Sequence, residues 1–172
     1  MDLTYRRADR SDIPVLRGWD EQPHVIASDP DSDWNWEEEV GQDPWWREQW
    51  MVLAEQRPIG FLQIMDTSET DYAYWGQNPP GQRAIDIWIG EPDMLGKGFG
   101  TNMMTWAIDR CFSDPGVQSI AIDPLLSNTR AHRFYERLGF RFLEERMFEE
   151  DRCRVYVLSR SNWAERLKRS GP

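Results

Sequence analysis

The stretch from Asp86 to Thr101 reads Asp-Ile-Trp-Ile-Gly-Glu-Pro-Asp-Met-Leu-Gly-Lys-Gly-Phe-Gly-Thr, and it limits the possible folds of this chain more than any other. Ala84 to Ile89 has the β-branched and aromatic content of a strand. Gly96, Gly98 and Gly100 then fall within five residues and lead into a helix-like segment, Asn102 to Phe112. A strand, a glycine loop and a helix start together make an anion site. The first amides of a helix have no partner within it, the helix dipole favours negative charge there, and glycine lets a phosphate approach the backbone. Spacing rules out two nucleotide loops. A P-loop needs four residues between its first glycine and a Gly-Lys-Ser/Thr ending, and the chain has none. A dinucleotide fingerprint starts correctly at Gly96 and Gly98 but needs Gly or Ala where Thr101 stands. A glycine surface turn is the alternative reading.

A second stretch narrows the choice. Ser127 to Phe140 reads Ser-Asn-Thr-Arg-Ala-His-Arg-Phe-Tyr-Glu-Arg-Leu-Gly-Phe, with Asn128 at a helix start, Tyr135 seven residues later and a Gly139-Phe140 exit. In this order, the two stretches resemble motifs A and B of the GNAT superfamily of N-acetyltransferases. Gly98 and Gly100 fill the glycine positions of Gln/Arg-x-x-Gly-x-Gly/Ala, while Leu95 stands where Gln or Arg is usual. Within the superfamily the chain is most similar to the aminoglycoside 6'-N-acetyltransferases. Their Ile-Asp, Leu-Gly-Lys-Gly-x-Gly-Thr and Asp-Pro-x-x-Ser-Asn-x-Arg-Ala segments recur at Ile85-Asp86, Leu95 to Thr101 and Asp123 to Ala131.

The resemblance implies an α/β (α+β) fold with a mixed, largely antiparallel central sheet flanked by helices. Residues 1–172 would form a single acetyl-CoA-dependent N-acetyltransferase domain. The pantetheine arm would lie along Trp88, Ile89 and Gly90, with a strand amide near Ile89 stabilising the developing oxyanion. The pyrophosphate would rest on the loop made of Leu95, Gly96, Lys97, Gly98, Phe99, Gly100 and Thr101, and Asn128 and Ala131 would complete the coenzyme A site. Asp86 matches the carboxylate at the acceptor nitrogen, and Tyr135 stands in the general-acid position that protonates the leaving thiolate. Asp123 would contact further amines of the acceptor. An ordinary Asp titrates near ~3.9, so Asp86 needs partial burial to serve as a base, or else it anchors the ammonium. Read without the resemblance, Asp86 is a strand-end carboxylate and Tyr135 a packed core ring.

Charge and cysteine content bound the partners. A chain of 172 residues suits one domain, and a net charge of −10 argues against nucleic acid and anionic membranes. It suits a cationic small molecule, or solubility alone. No run approaches the ~20 apolar residues of a membrane span, and the N-terminus lacks an apolar signal region. Cys111 and Cys153 have no metal-ligand spacing, so we expect no metal and a reduced, cytoplasmic protein, monomeric or homodimeric. His24 and His132 are expected at surface or satisfied positions.

Leu3 to Ala8 reads as a strand, and Ser11 as the cap of a helix with Pro14 in its first turn. Ser28 to Trp50 is strongly acidic and interleaved with Trp34, Trp36, Trp45, Trp46 and Trp50. Aromatic faces and carboxylates suit an amino sugar or polyamine, so Asp33 and Trp34 are candidate acceptor residues; a solvated acidic helix is the alternative. Trp50 to Glu55 and Ile59 to Met65 read as a hairpin turning at Gln56-Arg57-Pro58, with Gly60 suggesting a bulge. Trp75 offers further aromatic surface to an acceptor. Val117 to Ile122 reads as a doubly buried strand, and Ala131, Phe134, Tyr135 and Leu138 share one helix face. Phe140 to Phe148 and Arg154 to Leu158 read as a closing hairpin. The expected acceptor is a primary amine of a small polycation, with an aminoglycoside 6'-amine first. A siderophore-type lysine N-acyltransferase, a protein N-acetyltransferase and a non-catalytic CoA-binding module stay open.

Overall fold

The computed structural model describes residues 2–30, 34–42, 44–68, 74–76 and 78–169. Its elements, in order, are β1 (Leu3–Arg7), α1 (Ile13–Asp20), α2 (Pro23–Ile26), α3 (Trp36–Glu39), β2 (Arg47–Ala54), β3 (Arg57–Asp66) and β4 (Gln82–Ile89), followed by α4 (Phe99–Ser113), β5 (Ser119–Ile122), α5 (Thr129–Leu138), β6 (Arg141–Phe148), β7 (Asp151–Ser159) and α6 (Arg160–Arg169). The strands form one sheet in the order β1-β2-β3-β4-β5-β7-β6. β4 and β5 pair in parallel, β1 with β2 and β7 with both its neighbours antiparallel. This is the mixed, largely antiparallel sheet expected from the sequence. By contacts the chain divides into two compact units, residues 1–64 with 86–107, and residues 65–85 with 108–172.

In the first unit, β1 pairs with β2 from Leu3↔Ala54 to Arg7↔Trp50. Glu55 and Gln56 both take positive φ, 48° and 70°. That is the two-residue turn whose twist matches a hairpin, so the turn lies one residue earlier than the proline suggested. Strand alternation sorts the side chains. Tyr5 and Trp50 face α4, where Tyr5 stacks on Trp106 at 4.1 Å and Trp50 meets it edge-on. On the other face Met51, Leu53 and Phe61 join Leu16 and Trp19 of α1 and Trp36 of α3 in one core. Asp9, rather than Ser11, caps the entry to α1. Its carboxylate accepts from the Ser11 amide at 2.8 Å, while Asp12 accepts from the Asp9 amide at 2.9 Å and holds Arg6.

Two glycines of this unit make room for neighbours. A Cβ on Gly60 would stand 2.6 Å from the Trp88 carbonyl oxygen, and one on Gly90 would enter the Trp19 ring at 1.9 Å. The acidic segment is not one helix. Among its described residues only α3 is helical, Trp36 is core, and Trp45 is 74% exposed.

In the second unit, β4 pairs with β5 over Gln82↔Ser119, Arg83↔Ile120 and Ala84↔Ala121. β7 pairs with β6 through a register shift between Phe142 and Glu144. Helix α5 starts at Asn128, whose side-chain oxygen accepts from the Ala131 amide at 3.0 Å, and ends at Gly139 with φ 99°. Its most buried residues are His132 and Leu138, so the inward face is shifted from the purely apolar stripe of the sequence. His132 is tolerated inside because its Nε2 meets the Leu125 carbonyl at 2.9 Å. The expected strand from Val117 begins at Ser119, and the closing hairpin gains Asp151 to Cys153.

Candidate active site

The loop from Glu91 to Thr101 is anchored at its start. Arg57 binds both Glu91 and Asp93, and Glu91 accepts from the Trp19 indole at 2.9 Å. Gly96 and Gly98 then adopt φ values of 74° and 86°, conformations costly for a residue with a Cβ. No heavy atom lies within 4 Å of where either Cβ would stand. Among the described residues the amides of Gly96 to Gly100 make no backbone hydrogen bond outside the helix, and α4 supplies none to its own first turn. The first bonds beyond are Thr101 N and Asn102 N to Gly98 O. The result is an open cradle of donors at the positive end of a helix of 15 residues.

Asp86 sits on β4 ahead of this loop, with Trp88 two residues on and facing the same side. Trp88 packs tilted against Phe61 at 4.9 Å and Trp34 at 5.7 Å, and Trp34 stacks on Trp36 at 4.9 Å. The Trp88 indole nitrogen is buried with no hydrogen-bond partner. A buried donor left unpaired costs about 1–3 kcal/mol, which a ligand oxygen would recover. Burial pushes the Asp86 carboxyl above the usual carboxylate range, and a 2.6 Å hydrogen bond from Gln63 Nε2 pulls it partly back. The upward direction makes Asp86 a better proton acceptor than an exposed aspartate.

The backbone after Trp88 is partly spoken for. Gly90 N donates to Ile59 O at 3.0 Å, and His24 Nε2 lies 2.8 Å from Ile89 O. The Gly90 amide is therefore engaged within the protein. By strand alternation the Ile89 amide points to the edge away from β3.

A family model described as an acetyltransferase (GNAT) domain matches residues 9–148. The chain belongs to the GNAT acetyltransferase family. It is 29% identical to an aminoglycoside N(6')-acetyltransferase type 1 of Serratia marcescens, over 97% of this chain and 87% of that protein. It is 30% identical to an aminoglycoside N(6')-acetyltransferase type 1 of Klebsiella pneumoniae, over 80% of this chain and 73% of that one. The crystal structure of the aminoglycoside acetyltransferase AAC(6')-Ib with coenzyme A and kanamycin superposes with a TM-score of 0.85 at 24% identity, covering 95% of this chain and 98% of that one.

Among the GNAT site residues expected from sequence, the first unit holds Asp86, Trp34, Trp88 to Gly90 and the loop from Leu95 to Thr101. The second holds Trp75, Asp123, Asn128, Ala131 and Tyr135. Asp33 lies outside the described residues. Trp75 is 3% exposed and packs edge-on against Phe148, so it is a core residue and not acceptor-facing surface. The exposed ring beside them is Tyr74, whose hydroxyl donates to Asp123 at 2.5 Å. Tyr135 is half-buried between the rings of Phe134 and Phe140. Asn128 and Ala131 are bonded to each other through the helix cap. Sequence reading missed Gln63, the direct partner of Asp86. Its signal was a lone amide inside the apolar run Ile59 to Met65. Among the described residues no cluster of His, Cys, Asp or Glu is placed to hold a metal ion.

Proposed function

We propose that this GNAT chain moves the acetyl group of acetyl-CoA to a primary amine of a small polycation, with an aminoglycoside 6'-amine as the acceptor. The observation that carries this reading is Asp86. It is a desolvated carboxylate with a single described hydrogen-bond partner, two residues before Trp88, whose ring packs against Trp34, and on the strand that leads into the glycine cradle. A carboxylate among aromatic faces suits a cationic amino sugar.

The residues present fit coenzyme A. The open amides from Gly96 to Gly100 suit a pyrophosphate, and the orphaned Trp88 indole leaves a donor for an oxygen of the arm. Leu95 to Thr101 would hold the pyrophosphate and Trp88 to Gly90 would flank the pantetheine arm; Asn128 and Ala131 keep the cofactor-binding role that the resemblance of their segment implies. When bound, acetyl-CoA supplies an activated acetyl thioester. Asp86 holds the acceptor ammonium and takes its proton, so that the amine carries a lone pair. The Ile89 amide offers a hydrogen bond to developing negative charge. By the family resemblance of their segments, Tyr135 would protonate the departing thiolate and Asp123 would contact further amines of the acceptor. Leu95 replaces a side-chain polar contact but leaves the backbone donors intact.

Residues 1–172 would act as one catalytic domain, supported by a family match that runs through both compact units. A cytoplasmic monomer or homodimer is the setting we infer. Both thiols are buried, and no helix among the described residues is long and apolar enough to cross a membrane.

Free-thiol release from acetyl-CoA tests the reading, run against aminoglycosides, polyamines, lysine derivatives and basic peptides. Fast turnover with an aminoglycoside is expected. Silence across the panel, with acetyl-CoA still raising the melting temperature, would remove the acceptor assignment. Turnover confined to the peptides would move it to protein acetylation.

A further inference from the structure

A row of polar side chains crosses three adjacent strands on the apolar face of the first unit. Gln49 of β2 is 6% exposed, Gln63 of β3 is 2% exposed, and Asp86 follows on β4. Gln49 Nε2 donates to Gln63 Oε1 at 3.3 Å, and Gln63 Nε2 donates to Asp86 Oδ2 at 2.6 Å. Their neighbours in the core of this face are apolar or aromatic: Met51, Leu53, Phe61, Trp36 and Trp88. Two buried amides in such surroundings are costly unless bonded, so the row asks for a use.

The two bonds are not independent. A glutamine amide has a donor end and an acceptor end, and either can face a neighbour. With its oxygen engaged by Gln49, Gln63 has only its NH2 group left to turn toward Asp86. Without Gln49, the amide is free to present its oxygen to the carboxylate, an arrangement that repels the ionised form. We propose that Gln49 is a positioning residue for acetyl transfer, acting through Gln63 to fix the orientation in which the Asp86 carboxylate meets the acceptor amine. The inference rests on the reading of Asp86 as the proton-accepting group and adds a residue that touches neither substrate nor cofactor.

Charged and titratable groups of the elements packed on this side have partners of their own: Glu91 pairs with Arg57 and accepts from the Trp19 indole, and His24 Nε2 lies 2.8 Å from the Ile89 carbonyl oxygen. Arg6 binds Asp12, Arg17 binds Glu37, Arg47 binds Glu39, and Asp20 accepts from the Trp36 indole. The neighbours of Asp86 along its own strand, Ala84 and Trp88, are uncharged. The hydrogen bond from Gln63 is thus the lever that holds the Asp86 proton affinity down against burial. Gln49 sets how firmly that lever is held.

Two variants of similar bulk, Gln49→Leu and Gln49→Met, test the proposal. The first readout is the titration of the Asp86 side-chain carboxyl carbon by NMR in the cofactor-free protein. The second is the acid limb of kcat/KM. In both variants the midpoint should move up by about 0.5 to 1 pH unit. Below the wild-type midpoint kcat/KM should then fall about 3- to 10-fold, with the fall shrinking above it and the acetyl-CoA dissociation constant unchanged. An unmoved Asp86 titration in a folded variant would overturn the positioning role and leave the acetyltransferase reading untouched. A loss of activity equal at every pH would also overturn it, because a purely structural defect has no reason to follow the Asp86 proton. The NMR readout needs no acceptor, so a moved titration supports the relay even where every amine in the panel is inert.

Discussion

Folding raises the proton affinity of the Asp86 carboxyl, because the anion gives up water for a single described hydrogen bond, from Gln63. Between the unfolded value near ~3.9 and the higher folded value, the native state holds more protons than the unfolded one. Stability from this group is therefore full below the unfolded pKa and is lost as pH rises through the folded pKa. Asp86→Asn removes the titration while keeping the shape. The variant should melt above the wild type at pH 8, and the gap should close toward pH 4. The same substitution removes the proton acceptor, so kcat should fall about 100-fold or more, with acetyl-CoA affinity retained. Calorimetry across pH and thiol-release kinetics check the two halves. Wild-type turnover by Asp86→Asn would remove the assigned role. The opposite pull of one residue on stability and on rate is characteristic of a group kept for chemistry.

Among elements, the loop before α4 carries the clearest expectation. A Cβ on Gly98 meets no atom of the protein, so Gly98→Ala adds only backbone strain at φ 86°, about 1–2 kcal/mol. The same methyl group would stand in the way of the pyrophosphate proposed to meet these amides. KM for acetyl-CoA should therefore rise about 10-fold with kcat little changed, read from initial rates at saturating acceptor. Equal loss in kcat and no change in KM would place the pyrophosphate elsewhere. The loop and the helix after it were legible from glycine spacing and pattern, although α4 begins at Phe99, three residues before the expected Asn102. The strand ahead of the loop was equally legible from its composition, and β4 covers all of Ala84 to Ile89. The tryptophan-rich segment was not legible. Composition treats Trp36, Trp45 and Trp75 alike, yet Trp36 and Trp75 are core and Trp45 is surface, a division set by tertiary packing. The Gln49 to Asp86 row was hidden for the same reason, since it joins residues on three strands whose register sequence does not print. His132 on the inward face of α5 was hidden because its carbonyl partner, Leu125, lies outside the helix.

At the scale of the whole molecule, a net charge of −10 acts on the two proposed substrates with opposite sign. Long-range attraction raises the encounter rate of a polycation, and long-range repulsion lowers that of an anionic cofactor. Much of the local charge is already paired, as with Glu37 and Arg17 or Glu39 and Arg47, so it is the unpaired surplus that an approaching ligand senses. Salt should separate solubility from steering. From about 50 to 500 mM salt the Debye length shrinks from roughly 14 to 4 Å. If the surplus steers the acceptor, kcat/KM for a polycationic amine should fall about 3- to 10-fold over that range, more steeply for acceptors with more ammonium groups, with kcat unchanged. For acetyl-CoA, kcat/KM should stay level or rise, because screening relieves repulsion while the amide cradle of the loop is short-ranged. If the charge serves solubility alone, both substrates should respond alike and weakly. A flat salt profile for the polycation alongside a rising one for acetyl-CoA would place the negative field around the cofactor entrance, and the acidic segment would then lose its claim on the acceptor.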